Sequence, residues 1–276
     1  MTETNNQTLA WCAGTILPLN NLSVSAGDAS LEHGLGLFES MRAKSGRVPL
    51  LARHMARMTR SAAELGLKLG KEYLPSAQAI SELTEKSGLA TSSARLRMVL
   101  TGGCPAATGQ VWVSAHSLGS IDRDNLLLSR DFWPVDERDG LVRHKTLNYW
   151  LRRRAFEQAT AEGCHESISQ DSRGYLWEGS RTALFLVKNE RLVSPPANGP
   201  ILASIAAEVV RELAFEIGIS FVSKHLRIDD LMEADEVILT NAVRGILSVG
   251  QFCDVSYSSR GPITNALRNG WEKKYF

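Results

Sequence analysis

The sequence predicts two domains of mixed α/β or α+β character, a small one over residues 1–116 and a larger one over 125–276. Three observations carry this. At 276 residues the chain is long enough for two hydrophobic cores. Segments with the two-residue period of strands are interleaved with segments of helical period. Ser117 to Asp124 is short, polar and broken by Gly119, the composition of a linker over 117–124.

In the first domain Leu50, Leu51, Met55, Met58, Ala62 and Leu65 recur at near-helical spacing, which predicts a helix over 50–66 stopped at Gly66. Arg95 to Thr101 and Gln110 to Ala115 alternate as strands do, joined by Gly102-Gly103-Cys104-Pro105. Asn125 to Trp133 reads as the opening strand of the second domain. Leu147 to Glu162 reads as a helix closed by Gly163. Glu166 to Gln170 and Tyr175 to Lys188 read as strands around the turn Asp171-Ser172-Arg173-Gly174. Ser204 to Ile217 is an amphipathic helix with Gly218 as its stop, and Val237 to Thr240 and Ile246 to Val249 are the last strands.

Composition excludes several classes. Hydrophobic residues make up 43%, charged residues 22%, and the net charge is +1. That balance is ordinary for a globular protein and gives no global attraction to nucleic acid or to a membrane surface. Arg152-Arg153-Arg154 reads as a solvated helix face. No apolar run approaches the ~20 residues of a membrane span. The polar start Met1-Thr-Glu-Thr-Asn-Asn-Gln-Thr lacks a signal peptide's layout. Cys12, Cys104, Cys164 and Cys253 are scattered, as expected for reduced thiols in a cytoplasmic protein. The histidines show no ligand spacing, so no catalytic metal is expected. There is no GxSxG elbow, and Gly34-Leu35-Gly36 lacks the third glycine of a dinucleotide loop.

The chemistry centres on Lys145, which opens Lys145-Thr146-Leu147-Asn148-Tyr149 and precedes Glu178-Gly179-Ser180. An amine, a phenol and a carboxylate in this order suit pyridoxal 5'-phosphate (PLP). The amine forms a Schiff base with the cofactor's aldehyde, the carboxylate keeps the pyridine nitrogen protonated, and the phenol can bond the ring 3'-oxygen. Gly179 would let the Glu178 carboxylate approach a ring closely.

Five segments in order then resemble the fold-type IV PLP enzymes, the class IV aminotransferases. They are Gly34-Leu35-Gly36-Leu37-Phe38-Glu39, His54-Met55-Ala56-Arg57-Met58, Lys145 to Tyr149, Glu178-Gly179-Ser180-Arg181-Thr182-Ala183-Leu184-Phe185, and Ala234 to Ala242. The resemblance covers roughly residues 27 to 257. It implies a small N-terminal α/β domain before a larger barrel-like domain, with PLP in the cleft between them. It also implies a homodimer in which a loop of one subunit, Gly102 to Gly109 here, closes the partner's site.

The resemblance assigns roles. Lys145 carries the Schiff base and moves a proton at the substrate Cα. Glu178 pairs with the ring nitrogen and Tyr149 with the 3'-oxygen. Arg57 matches the family's phosphate arginine, a guanidinium being a good fork for that group; His54, on the same helix face by its spacing of three, reads as a packing residue or as a support for a neighbour in the site. Ser204, Ile205 and Ala206 open a helix whose free N–H groups and positive dipole end suit the phosphate. Family members often have Gly-Ile-Thr there, so one hydroxyl is missing. Asn241 and Ala242 are a second backbone contact, where aminotransferases often have Thr or Ser in place of Ala242. Phe38, Glu39, Arg42 and Arg97 resemble substrate-pocket residues of branched-chain aminotransferases, and either arginine could bind an α-carboxylate. The implied reaction moves an amino group between an amino acid and a 2-oxo acid. Thr240-Asn241-Ala242-Val243 also resembles aminodeoxychorismate lyase, which releases 4-aminobenzoate and pyruvate, although Glu39 stands where that enzyme has threonine. Another PLP reaction and a PLP-binding protein without turnover are the remaining readings.

Overall fold

Apolar alternation in five segments builds the first unit as one antiparallel sheet. Its strands are β1 (Leu9–Cys12), β2 (Thr15–Pro18), β3 (Gly36–Lys44), β4 (Ser93–Thr101) and β5 (Val111–Ser117), in the order β2-β1-β5-β4-β3. The computed structural model describes residues 7–104 and 108–276. The start of the chain and the middle of the Gly102 to Gly109 connection therefore lie outside the described residues. The chain divides into two units, the first running to Ser120 and taking in Lys145–Asn148, the second comprising Ile121–His144 and Tyr149–Phe276.

The α-helices among the described residues of the first unit are α1 (Ala29–His33), α2 (Leu51–Glu64) and α3 (Ala77–Lys86). Leu37, Met41, Leu96, Met98 and Val113 on one sheet face share a core with Met58 and Ala62 of α2 and Ile80 and Leu83 of α3. Each of these side chains larger than alanine contributes about 1.5–3 kcal/mol through burial. The helix expected over 50–66 is present, and Gly66 follows it at φ +71.

The second unit has β6 (Leu126–Leu128), β7 (Trp133–Pro134), α4 (Trp150–Ala161), β8 (Ile168–Gln170), β9 (Leu176–Gly179), β10 (Ala183–Lys188) and β11 (Arg191–Ser194). It continues through α5 (Ile205–Glu216), β12 (Phe221–Ser223), α6 (Ile228–Met232), β13 (Glu236–Asn241), β14 (Gly245–Phe252), β15 (Val255–Ser256) and α7 (Pro262–Tyr275). Strands β8, β9, β10, β13 and β14 pair antiparallel in that order. Strand β6 pairs parallel with β14, and Leu128 at its end bridges Glu166 just before β8. The ring of pairings is thereby closed, as the expected barrel-like domain requires. Leu126, Leu128, Ile168, Leu184, Leu239 and Leu247 fill one core there.

Three expected elements differ. The strand expected over Asn125 to Trp133 is two short ones, because the Asp131 N–H donates to Ser129 Oγ at 3.1 Å and turns the chain between them. The helix expected from Leu147 starts at Trp150, since the Leu147 N–H donates instead to Gly36 O at 2.9 Å and extends the edge of β3. The strand expected over Tyr175 to Lys188 is interrupted at 180–182, where the chain turns around the Glu166 carboxylate. Among the described residues no helix is long and apolar enough to cross a membrane.

Candidate functional site

Lys145 is held by its main chain. The Phe38 N–H donates to Lys145 O at 2.9 Å, Thr146 bridges Leu37, and Leu147 closes the ladder on Gly36. This explains two glycines of the Gly34-Leu35-Gly36 segment. Gly34 ends α1 at φ +71, a conformation that costs glycine least. A Cβ on Gly36 would meet Leu147 Cδ1 at 2.6 Å and Leu100 O at 2.7 Å. The Lys145 ammonium lies over the Phe38 ring, 4.5 Å from its centroid, and the Arg97 guanidinium lies 4.1 Å from the same centroid.

Strand alternation separates the residues expected to line a substrate pocket. Successive side chains of β3 point to opposite faces. Phe38, Ser40 and Arg42 share one face with Arg97, which pairs with Ser40. Glu39 lies on the other face with Leu37 and Met41, toward α2. Its carboxylate is 1% exposed. Oε1 accepts from Arg57 Nε at 2.7 Å, and Oε2 accepts from Arg57 Nη2 at 2.5 Å and from His54 Nδ1 at 2.6 Å. Burial would raise the carboxyl's pKa, but Arg57 and then His54 overcome it and bring it to about 2. Burial pushes the His54 imidazole down, against the pull of Glu39. Glu39 is thus a partner of Arg57 and His54, and the expectation that it joins Phe38, Arg42 and Arg97 is corrected: the strand period of two forbids a shared face.

In the second unit Glu178 is the last residue but one of β9 and is buried. Its Oε1 accepts the Leu202 N–H at 3.0 Å and a hydrogen bond from Arg152 Nη2. Oε2 accepts none among the described residues, so one carboxylate oxygen is left for a ligand. Gly179 follows because a Cβ there would collide with the Thr182 hydroxyl and the Glu166 side chain. Glu166, 2% exposed, gathers the next turn. It accepts from the N–H groups of Ser180 at 2.9 Å and Arg181 at 3.2 Å, from Thr182 Oγ1 at 3.0 Å, and from the Ser180 hydroxyl. The Tyr149 hydroxyl donates to Ser180 O at 3.0 Å, and burial pushes its pKa up, so it is a neutral phenol.

The start of α5 presents backbone donors. Ser204 caps it, its hydroxyl accepting the Ala207 N–H at 3.2 Å while its carbonyl accepts the Glu208 N–H at 3.0 Å. The N–H groups of Ile205 and Ala206 have no acceptor among the described residues, and they stand at the positive end of the helix dipole. Asn241 Oδ1 accepts the N–H groups of Val243 at 3.1 Å and Arg244 at 2.8 Å, which fixes the turn between β13 and β14 around Ala242.

Taken unit by unit, the chemistry of these groups fits PLP. The vacant Glu178 oxygen suits a protonated ring nitrogen, the two orphan amides suit a phosphate, and the primary amine of Lys145 suits an aldehyde. Two residues escaped the sequence reading. Arg152, expected on a solvated face, is partly buried against Glu178; only Arg153, ion-paired with Glu157, and Arg154 are exposed. Its spacing of three from Tyr149 places both on one helix face, a signal that was available. Glu166 was legible only as a strand residue.

A family described as amino-transferase class IV matches residues 36–252. A Methanocaldococcus jannaschii protein provisionally named a branched-chain-amino-acid aminotransferase is 30% identical over 269 residues, covering 92% of each chain. A D-alanine aminotransferase of Staphylococcus aureus is 26% identical, covering 94% of this chain and 95% of its own. Among solved structures, the branched-chain amino acid aminotransferase of Escherichia coli superposes with a TM-score of 0.83 at 23% identity, covering 98% of this chain and 94% of that one. A Legionella pneumophila protein provisionally named a 4-amino-4-deoxychorismate lyase superposes with a TM-score of 0.82 at 24% identity, covering 92% and 96%.

Proposed function

Because the chain belongs to the class IV aminotransferase family, we propose that it moves an amino group between an amino acid and a 2-oxo acid with PLP bound at Lys145, and that a branched-chain-like substrate is favoured. The observation that carries the reading is the Glu178 carboxylate, buried and anchored through Oε1 alone, together with an amine at Lys145 held on β3.

When bound, the cofactor supplies an aldehyde for the amine and a ring that accepts electron density from the substrate's Cα. Glu178 would hold the proton on the ring nitrogen. Arg57 and the Ile205 and Ala206 amides would bind the phosphate, with Ser204 capping the helix and the Asn241-Ala242 turn beside it in role. Tyr149 would bond the 3'-oxygen, turning its proton away from Ser180 O. Lys145 would take the proton from the substrate's Cα. Arg42 and Arg97, on the Phe38 face, are candidates for the substrate carboxylate. Glu39 serves by holding Arg57.

The segment Thr240-Asn241-Ala242-Val243 favours a second reading, the release of 4-aminobenzoate and pyruvate from aminodeoxychorismate. The protein is read as a cytoplasmic homodimer; its four free cysteines suit a reducing compartment.

The test is the visible spectrum of the purified protein, before and after adding L-amino acids, D-amino acids and aminodeoxychorismate separately. Loss of the yellow band with a branched-chain amino acid supports transamination. A band that persists with every amino acid, while aminodeoxychorismate yields pyruvate, selects the second reading. Lys145→Ala should abolish both band and turnover, and full activity in that variant would overturn the mechanism.

A further inference from the structure

Arg152 lies at the carboxylate that the proposed function assigns to the cofactor's ring nitrogen. It stands in the first turn of α4, three residues after Tyr149, and unlike the exposed Arg153 and Arg154 it is largely withdrawn from solvent: its side chain is 15% exposed and that of Glu178 5%. Its Nη2 donates to Glu178 Oε1, and its guanidinium stacks 5.1 Å from the Trp133 ring centroid and 5.9 Å from that of Tyr149. Burial works against the arginine's charge, but Glu178 and then Tyr149 outweigh it and hold the guanidinium charged.

A cation is not needed to keep Glu178 in place. The Leu202 N–H already binds Oε1, and the Glu178 N–H donates to Ser169 Oγ at 3.1 Å. Placing an arginine here also costs desolvation, which the pair must offset. What the guanidinium adds is charge. A carboxylate paired with a cation attracts a second positive charge less, so it raises the proton affinity of a ring nitrogen at its other oxygen less than an unpaired carboxylate would.

Resting on the reading of Glu178 as the ring-nitrogen partner, we propose that Arg152 is a positioning residue that occupies one Glu178 oxygen, leaves the other for the ring nitrogen, and weakens the carboxylate's support of a proton on that nitrogen. The ring then draws electron density from the substrate's Cα less strongly than it would beside an unpaired glutamate.

The experiment uses holoprotein reconstituted with PLP labelled with nitrogen-15 in the ring, and reads the nitrogen chemical shift. Borohydride reduction and peptide mass spectrometry come first. A labelled Lys145 peptide supports the underlying reading, and its absence in wild type overturns that reading and this inference together. With the label in place, Arg152→Gln should move the resonance toward the protonated-pyridine position, and Arg152→Lys, which keeps the charge, should leave it near wild type. An unmoved resonance in Arg152→Gln, or an equal movement in both variants, overturns the inference alone. Should Arg152→Gln fail to fold, the wild-type spectrum decides: a resonance already at the fully protonated position overturns the proposal, and one short of it supports it.

Discussion

Replacing Glu39 by glutamine removes a charge from the most tightly paired carboxylate of the first unit. Glu39 is 1% exposed and Arg57 6%. Burial raises the carboxyl's pKa, Arg57 and His54 lower it further, and the balance falls from 4.5 to about 2. At ~1.4 kcal/mol per pKa unit the folded state gains ~3 kcal/mol from this charge. The folded value lies below the unfolded one. The contribution is therefore complete above about pH 4.5 and lost as the pH falls toward about 2. Glu39→Gln keeps the side chain's shape but leaves the Arg57 guanidinium buried without its counter-charge, so ~3–5 kcal/mol should be lost at pH 7. Arg57→Met should cost a similar amount. The double variant Glu39→Leu with Arg57→Met should cost much less than the two single losses together, because no buried charge remains. Urea denaturation followed by circular dichroism measures the losses. Hydrogen exchange of β3 and α2 assigns them to this unit. The gap between wild type and Glu39→Gln should narrow as the pH falls below 4.5. Additive losses in the double variant, or a gap that does not depend on pH, would refute the reasoning.

Gly179→Ala should cost ~1–3 kcal/mol by overpacking against Glu166 and Thr182 and should weaken retention of PLP, because Glu178 moves with its neighbour; retention equal to wild type would count against this. Glu236→Ala removes the acceptor of the Ile263 N–H at 3.1 Å, the Thr264 N–H at 2.8 Å and Thr264 Oγ1 at 2.6 Å, so ~2–3 kcal/mol should be lost and exchange should quicken at the start of α7. Tyr149→Phe should weaken PLP affinity by about tenfold, the worth of roughly one hydrogen bond. Burial raises the phenol's pKa, so the affinity profiles of variant and wild type should run parallel below about pH 10; a divergence at neutral pH would show the phenol ionising there.

Much of the candidate site is legible in the chain because its proposed parts are local. Lys145 to Tyr149, Glu178 with Gly179, and Ser204 before an amphipathic helix each express their chemistry within a few residues: an amine beside a phenol, a carboxylate before a residue without a Cβ, a cap before free amides. The helices at 51–64 and 205–216 were legible for the same reason, since a period of 3.6 shows within two turns. Boundaries were less so where a partner competes for the backbone, as β3 does for Leu147.

The sequence by itself determined which residue types could do this chemistry and on which elements they sit. Tertiary structure alone decided their partners. Glu39 reads like its neighbour Phe38 until α2 is laid over one face of β3 and brings His54 and Arg57 to it. Arg152 reads like Arg153 and Arg154 until β9 carries Glu178, 26 residues away in the chain, to its guanidinium. Glu166 acquires its role only when β6 closes the ring and the turn after β9 wraps its carboxylate. Periodicity and capping act over a few residues, whereas a buried charge takes its meaning from whatever the fold places within hydrogen-bond reach.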